Sequence, residues 1–200
     1  VIIVTAAGSA INVDADCDAE IQAWYPGQSG GKALAEILFG KVSPSGKLPV
    51  TFYKSAEGLP EFEDYSMENR TYRYVKDNEN ILYPFGYGLT YSKVECTNVE
   101  YSDGTAAVTV TNSGENDTED VVQLYIKGYS ENAVKNYSLC GFKRVSLAKG
   151  ETKTIEIKLS DSAFTAVNNE GERVSGGDKF TLYAGTAQPD EISTNLTGTK

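Results

Sequence analysis

The sequence predicts two units in tandem, an α/β sandwich fragment with a partial, mostly parallel sheet followed by an all-β sandwich. Three observations carry this. Residues 1–5, Val-Ile-Ile-Val-Thr, form an unbroken apolar run ended by Ala6-Ala7-Gly8-Ser9, as a strand buried on both faces of a parallel sheet does. Residues 24–52 hold a loop, a capped helix, a turn and a strand in direct succession, and strand, helix, strand in that order implies a parallel sheet covered by helices. From Val94 onward the apolar residues alternate with period two, in about seven short segments parted by turn signals, which is sandwich arithmetic.

After the opening strand, Ile11 and Val13 suggest a short hydrophobic return, and Asp14, Asp16 and Asp18 place capping carboxylates at a short helical turn. Residues 21–24 are the next strand. Pro26-Gly27 breaks the chain, and Ser29 is placed to cap a helix that runs to about Phe39. Ala33 with Ile37 and Leu34 with Leu38 lie four apart and make its apolar face, leaving Lys32 and Glu36 wet, and Gly40 stops it. Pro44-Ser45-Gly46 turns the chain into a strand over 48–52, which starts beside Pro49 because a missing N–H is tolerated at a strand start. Residues 1–52 are too few for a doubly wound domain, so they are expected to be the second half of one.

Residues 53–93 are irregular: a polar loop, an acidic and aromatic stretch over 60–70, a short strand at 71–75 and a turn at 77–80. Tyr83-Pro84-Phe85-Gly86-Tyr87-Gly88-Leu89 then reads as a stiff loop packed by rings. So long an irregular segment is functional or wraps a neighbour. In the β region, Ala106, Val108 and Val110 alternate with polar neighbours, 121–126 is a central strand, and 139–147 is a strand with an irregularity at Gly141. Lys149-Gly150-Glu151 turns, Ile155, Ile157 and Leu159 share one face, Gly176-Gly177-Asp178 precedes a strand at 180–184, and residues from Asp190 read as a tail.

Composition narrows the chemistry. The 200 residues carry 18 basic and 28 acidic side chains, a formal charge of −10 without clustered Lys or Arg, which argues against a nucleic-acid partner. There is no histidine, which removes Ser-His-Asp, Cys-His and His-metal centres together and leaves carboxylate chemistry as the available acid/base route. Cys17, Cys96 and Cys140 are too few and too widely spaced for a disulfide framework. No run is long enough for a membrane span, and residues 1–4 have neither the length nor the basic flank of a signal peptide.

Four constellations compete with plainer readings. Asp14, Asp16, Asp18 and Glu20 lack the central Gly and closing Glu of a calcium loop, so capping or solubility is favoured and no metal is expected. Gly27, Gly30 and Gly31 could cradle a phosphate at the helix start, but without G-K-S/T or GxGxxG the favoured reading is a tight turn with close packing, Trp24 and Pro26 serving the same corner. Glu63, Asp64, Tyr65, Met67, Arg70 and Arg73 either line a sugar cleft or form a loop pinned by an arginine on a carboxylate. Asn69, Asn116, Asn136 and Asn195 match the glycan acceptor pattern, which chance also produces.

Ala23-Trp24-Tyr25-Pro26-Gly27-Gln28-Ser29-Gly30-Gly31, Ala35-Glu36-Ile37-Leu38-Phe39-Gly40, the run Pro44-Ser45-Gly46-Lys47-Leu48-Pro49-Val50-Thr51-Phe52 and the loop 83–91 resemble the C-terminal half of glycoside hydrolase family 3. Residues 121–125 and 139–152 resemble the fibronectin type III-like domain of the same enzymes. The resemblance implies an α/β sandwich fragment over 1–52, a connecting loop over 53–93, a fibronectin type III-like β-sandwich over 94–190 and a tail from 191. It implies an exo-acting retaining β-glycosidase with an oligosaccharide substrate and no cofactor. The nucleophilic Asp of its TIM-type barrel and its acid/base Glu lie upstream of residue 1, so no catalytic residue is expected here. It implies substrate contacts from Glu63, Asp64, Tyr65, Met67, Arg70 and Arg73, and structural roles for Trp24, Pro26, Gly27, Gly30, Gly31, Pro84, Gly86 and Gly88. The stretches 51–55, 59–60, 62–67 and 70–74 resemble the β-xylosidase branch more than the β-glucosidase branch. A non-catalytic structural fragment and a carbohydrate-binding module are the alternatives.

Overall fold

The computed structural model describes residues 1–13, 15–76 and 78–198. The element order is β1 (Ile2–Thr5), β2 (Ala19–Gln22), α1 (Gly30–Leu38), β3 (Phe52–Tyr53), α2 (Thr71–Tyr74), β4 (Ile81–Tyr83), β5 (Val94–Ser102), β6 (Thr105–Asn112), β7 (Thr118–Gly128), β8 (Ser138–Leu147), β9 (Thr152–Lys158), β10 (Thr165–Val167), β11 (Arg173–Ser175), β12 (Phe180–Gly185) and α3 (Glu191–Thr197). No helix among the described residues is long and apolar enough to cross a membrane.

The expected fold class needs correction. Among the described residues only β1 and β2 pair in parallel, with Ile3 opposite Glu20; every other ladder is antiparallel. The partial sheet is therefore not mostly parallel, and among the described residues neither it nor any other sheet closes on itself. The C-terminal region holds two three-stranded antiparallel sheets, β5-β6-β9 and β12-β7-β8, and a two-stranded ribbon, β10-β11. The physical reason is that a continuous apolar run does not fix the direction of its neighbour, nor does it guarantee burial: Ile2 and Val4 of β1 stay 51% and 37% exposed instead of being covered on both faces.

The strand expected over 48–52 shrinks to Phe52–Tyr53 and pairs antiparallel with β4, because Leu48 spends its backbone elsewhere. Its N–H donates to the Tyr87 carbonyl at 2.8 Å, and its carbonyl accepts the Gly86 N–H at 2.7 Å. A Cβ on Gly88 would strike the Gly46 carbonyl oxygen, so the two loops meet backbone to backbone. The strand expected over 71–75 is instead the single helical turn α2, an override of β-propensity by tertiary contacts. The expected tail is α3: the Asp190 carboxylate accepts the Ser193 N–H at 2.7 Å as N-cap, and Gly198 in the left-handed region ends the helix.

The expected core of the C-terminal strands holds, while the Ser29 cap and the helical turn near Asp16 and Asp18 do not. Ala106, Val108 and Val110 are fully buried with Val122 and Leu124, and Ile155, Ile157 and Leu159 join them, so both three-stranded sheets bury one core. At Gly141 the β7–β8 register shifts, and an added Cβ would lie 2.7 Å from Ile157, which explains the irregular strand. Helix α1 starts after Ser29, whose side chain makes no capping bond, and Gly40 at φ +69 stops it. Asp14 and Asp77 lie outside the described residues. Residues 15–18 form no helical turn, and Glu20 accepts the Tyr83 hydroxyl at 3.4 Å.

Candidate functional site

The irregular segment 60–76 is held in one shape by its own polar groups. The Asp64 N–H donates to the Glu61 carbonyl at 2.9 Å, the Asp64 carboxylate accepts the Ser66 N–H at 2.8 Å, and the Arg70 N–H reaches the Met67 carbonyl at 3.1 Å. Arg70 works through carbonyls rather than the carboxylate partner foreseen for it: Nη2 donates to Glu61 O at 2.5 Å and Pro60 O at 3.4 Å, and Nε to Asp64 O at 3.1 Å. Met67, Asn69 and Thr71 all have positive φ, of 63, 55 and 54°. Such positions cost on the order of 1–3 kcal/mol each, and Thr71 is β-branched, so the surroundings must hold them there.

Helix α2 carries this segment onto the C-terminal sheets. The Tyr72 ring stacks on Phe85 at 4.3 Å and 8°, with Tyr125 and Tyr137 edge-on or tilted beside it. Tyr137 donates to Gln188 and Asp190 at 3.0 and 2.9 Å, Gln188 donates to the Phe85 carbonyl at 2.6 Å, and Gln123 donates to Gly86 O and Thr186 O at 2.9 Å each. Burial raises the Tyr125 and Tyr137 hydroxyls far above the ordinary phenol range, so both stay protonated donors. Gly86 has φ +80, and an added Cβ would meet the Gln123 Oε1 and the Tyr125 hydroxyl. The aromatic loop thus docks as a plug, with Pro84 fully buried.

Two clefts flank α2. One, of about 650 Å³, is walled by Tyr53, Met67, Thr71, Arg73, Tyr74 and Phe85. The other, of about 430 Å³, lies between Thr51, Tyr72, Val75, Asn136, Tyr137 and Asp190. Of the six residues singled out for substrate, Met67 and Arg73 line the first cleft; Glu63, Asp64 and Tyr65 sit on the exposed outer side of the loop, and Arg70 lies beneath it. No carboxylate lines the larger cleft among the described residues. The Ser66 N–H and hydroxyl hold the Asp64 carboxyl below its ordinary range, which suits a charged acceptor and not a proton donor at neutral pH. Burial, opposed by Arg70, raises the Tyr53 hydroxyl.

Of the structural residues, Gly30 lets Pro26 approach, since an added Cβ would lie 2.6 Å from the ring, and Gly27 has φ +69. Gly31 faces open space. Trp24 packs edge-on against Phe52 at 6.3 Å. Sequence reasoning passed over Tyr53, Tyr74 and Asn136; the pattern Tyr-Arg-Tyr at 72–74 was visible, but Asn136 carried no signal beyond a glycan pattern.

Residues 1–91 match the glycosyl hydrolase family 3 C-terminal domain, and residues 120–188 match the fibronectin type III-like domain. A xylan 1,4-beta-xylosidase of Xylanibacter ruminicola is 40% identical over 98% of this chain and 24% of its own length. A periplasmic beta-glucosidase of Salmonella typhimurium is 31% identical over 88% of this chain and 25% of its own length. Among solved structures, a beta-glucosidase from Erythrobacter marinus superposes with TM-score 0.79 at 30% identity, covering 94% of this chain and 27% of that one. The Bifidobacterium adolescentis family 3 beta-glucosidase gives TM-score 0.76 at 31% identity, covering 94% and 31%. The chain spans about a quarter of the length of these curated relatives. Motifs, fold and relatives agree: the chain belongs to glycosyl hydrolase family 3, of which it carries the C-terminal domain and the fibronectin type III-like domain.

Proposed function

We propose that the chain is the C-terminal portion of an exo-acting retaining β-glycosidase of the β-xylosidase type, which releases terminal sugars from β-linked oligosaccharides. The observation that carries this reading is the 40% identity to a xylan 1,4-beta-xylosidase across 98% of the chain. Retaining hydrolysis needs two carboxyl groups about 5–5.5 Å apart, one attacking the anomeric carbon and one protonating the leaving oxygen. In this reading both come from an upstream barrel and α/β segment. Residues 1–52 complete the α/β domain, 53–93 connect, and 94–190 brace the assembly.

Within that assembly the 61–73 loop supplies substrate contacts. Met67 offers an apolar surface and Arg73 donors from the cleft wall, Glu63, Asp64 and Tyr65 contribute from the rim, and Arg70 fixes the loop that carries them. The test compares the full gene product with residues 1–200 on p-nitrophenyl β-D-xyloside. The expected result is hydrolysis by the former alone; turnover by the isolated chain overturns the assignment of both acids to upstream segments. A β-glucosidase is the second reading, favoured by the likeness to the solved beta-glucosidases of Erythrobacter marinus and Bifidobacterium adolescentis. Xylose lacks the hydroxymethyl group of glucose, and a pocket that fits one sugar discriminates against the other, so the ratio of kcat/KM on the xyloside and the glucoside separates the two.

A further inference from the structure

Helix α2 cannot hold itself. It has four residues, and the Val75 N–H to Thr71 carbonyl bond of 3.0 Å closes its turn, far short of what an isolated helix needs. Its carbonyls are instead occupied from the connection between β7 and β8. The Asn136 N–H donates to Arg73 O at 3.0 Å, and Asn136 Nδ2 donates to Tyr72 O at 3.0 Å and Val75 O at 2.9 Å. Nearby, the Leu139 N–H donates to the Tyr72 hydroxyl at 3.0 Å. One asparagine therefore takes three carbonyls of the segment directly after the strained positions Met67, Asn69 and Thr71. Strain of that kind persists only where neighbouring contacts over-determine the backbone.

We propose that Asn136 is a positioning residue through which the fibronectin type III-like domain sets the shape of the substrate cleft. It fixes α2, and with it Met67 and Arg73 on the cleft wall. The Asn136 amide is thereby engaged in the fold and is not a glycan acceptor in this conformation. The cleft's role rests on the functional reading above; the mechanical role of Asn136 does not.

The experiment uses the full gene product with Asn136→Ala, with Asn136→Asp, which keeps the shape but loses the donor, and with Lys47→Met, which weakens the same inter-domain contact away from α2. Two quantities are read: KM and kcat on p-nitrophenyl β-D-xyloside, and the rate of tryptic cleavage after Arg70 and Arg73 in the native protein. Both Asn136 variants are expected to raise KM roughly 5- to 30-fold with kcat little changed, and to speed cleavage at these arginines. Lys47→Met is expected to lower Tm without moving KM. Unchanged cleavage in both Asn136 variants overturns the positioning role. Faster cleavage with unchanged KM overturns its link to the substrate cleft. If the parent protein hydrolyses no glycoside, the functional reading fails, and the cleavage rates still decide whether Asn136 holds α2.

Discussion

Lys47 and Asp120 form an ion pair at 2.8 Å with side chains 9% and 5% exposed, joining the turn before β3 to the central strand β7. Lys47 Nζ also donates to the Gly88 carbonyl at 2.7 Å, and the Asp120 carboxylate accepts the Val121 N–H at 2.7 Å. Replacing both charges in such a site is often neutral, but removing one partner leaves a buried charge alone and costs about 3–5 kcal/mol. For a chain of this size, Lys47→Met should lower Tm on the order of 6–20 °C. The pH dependence gives a second handle. Burial outweighs the Lys47 ammonium and raises the Asp120 carboxyl above its ordinary range. A carboxyl raised in the fold binds more protons there than in the unfolded chain, so stability falls as pH rises from the unfolded value through the raised one. Loss of Lys47 raises Asp120 further, so the deficit is fullest above that window and shrinks as pH falls toward about 4. Urea unfolding followed by circular dichroism at several pH values measures this. Adding Asp120→Asn, which keeps an acceptor for Val121, should recover more than half of the loss at neutral pH. A Lys47→Met variant within about 1 kcal/mol of the parent at pH 7, the range of an exposed pair, refutes the argument, as does a double variant no more stable than the single one.

Other expectations are smaller in scope. Gly86→Ala forces a Cβ to within 2.6 Å of the Tyr125 hydroxyl at φ +80, and Gln123 is tied to two carbonyls and cannot step aside, so a loss of about 2–4 kcal/mol is expected by thermal melting. Gly31→Ala enters open space on α1 and should stabilise by up to about 1 kcal/mol; a loss there contradicts the placement of that helix face. Burial pushes the Cys96 and Cys140 thiols up to about 12, so at pH 8 iodoacetamide should label Cys17 in the native chain and all three after denaturation, read by intact mass. Val1, Ile2 and Phe39 are 77, 51 and 83% exposed, so residues 1–200 alone should self-associate. Light scattering should report less association for Phe39→Lys, and a parent that stays monomeric at high concentration counts against this.

Much of the molecule is legible in the chain. The alternation through Ala106, Val108 and Val110 and through Ile155, Ile157 and Leu159 specifies one buried face per strand, because a period of two leaves no other assignment. Gly27, Gly40 and Gly86 mark left-handed turns, and the opening apolar run is a strand. The Asp190 and Gly198 caps of α3 were also visible, and reading that segment as a tail neglected them.

Tertiary structure alone decided the remainder. Strand direction is a property of a pair, so the apolar runs at 1–5 and 48–52 could not say that one finds a parallel partner and the other is spent on the aromatic loop. The 71–75 segment has the composition of a strand and becomes a helical turn because Asn136, some sixty residues away, takes its carbonyls. In the acidic loop the sequence supplied the residue types, but Arg70 on three carbonyls determines that Met67 and Arg73 face a cleft while Glu63, Asp64 and Tyr65 face solvent. An aperiodic segment has no face of its own, and its side chains point where distant hydrogen bonds allow.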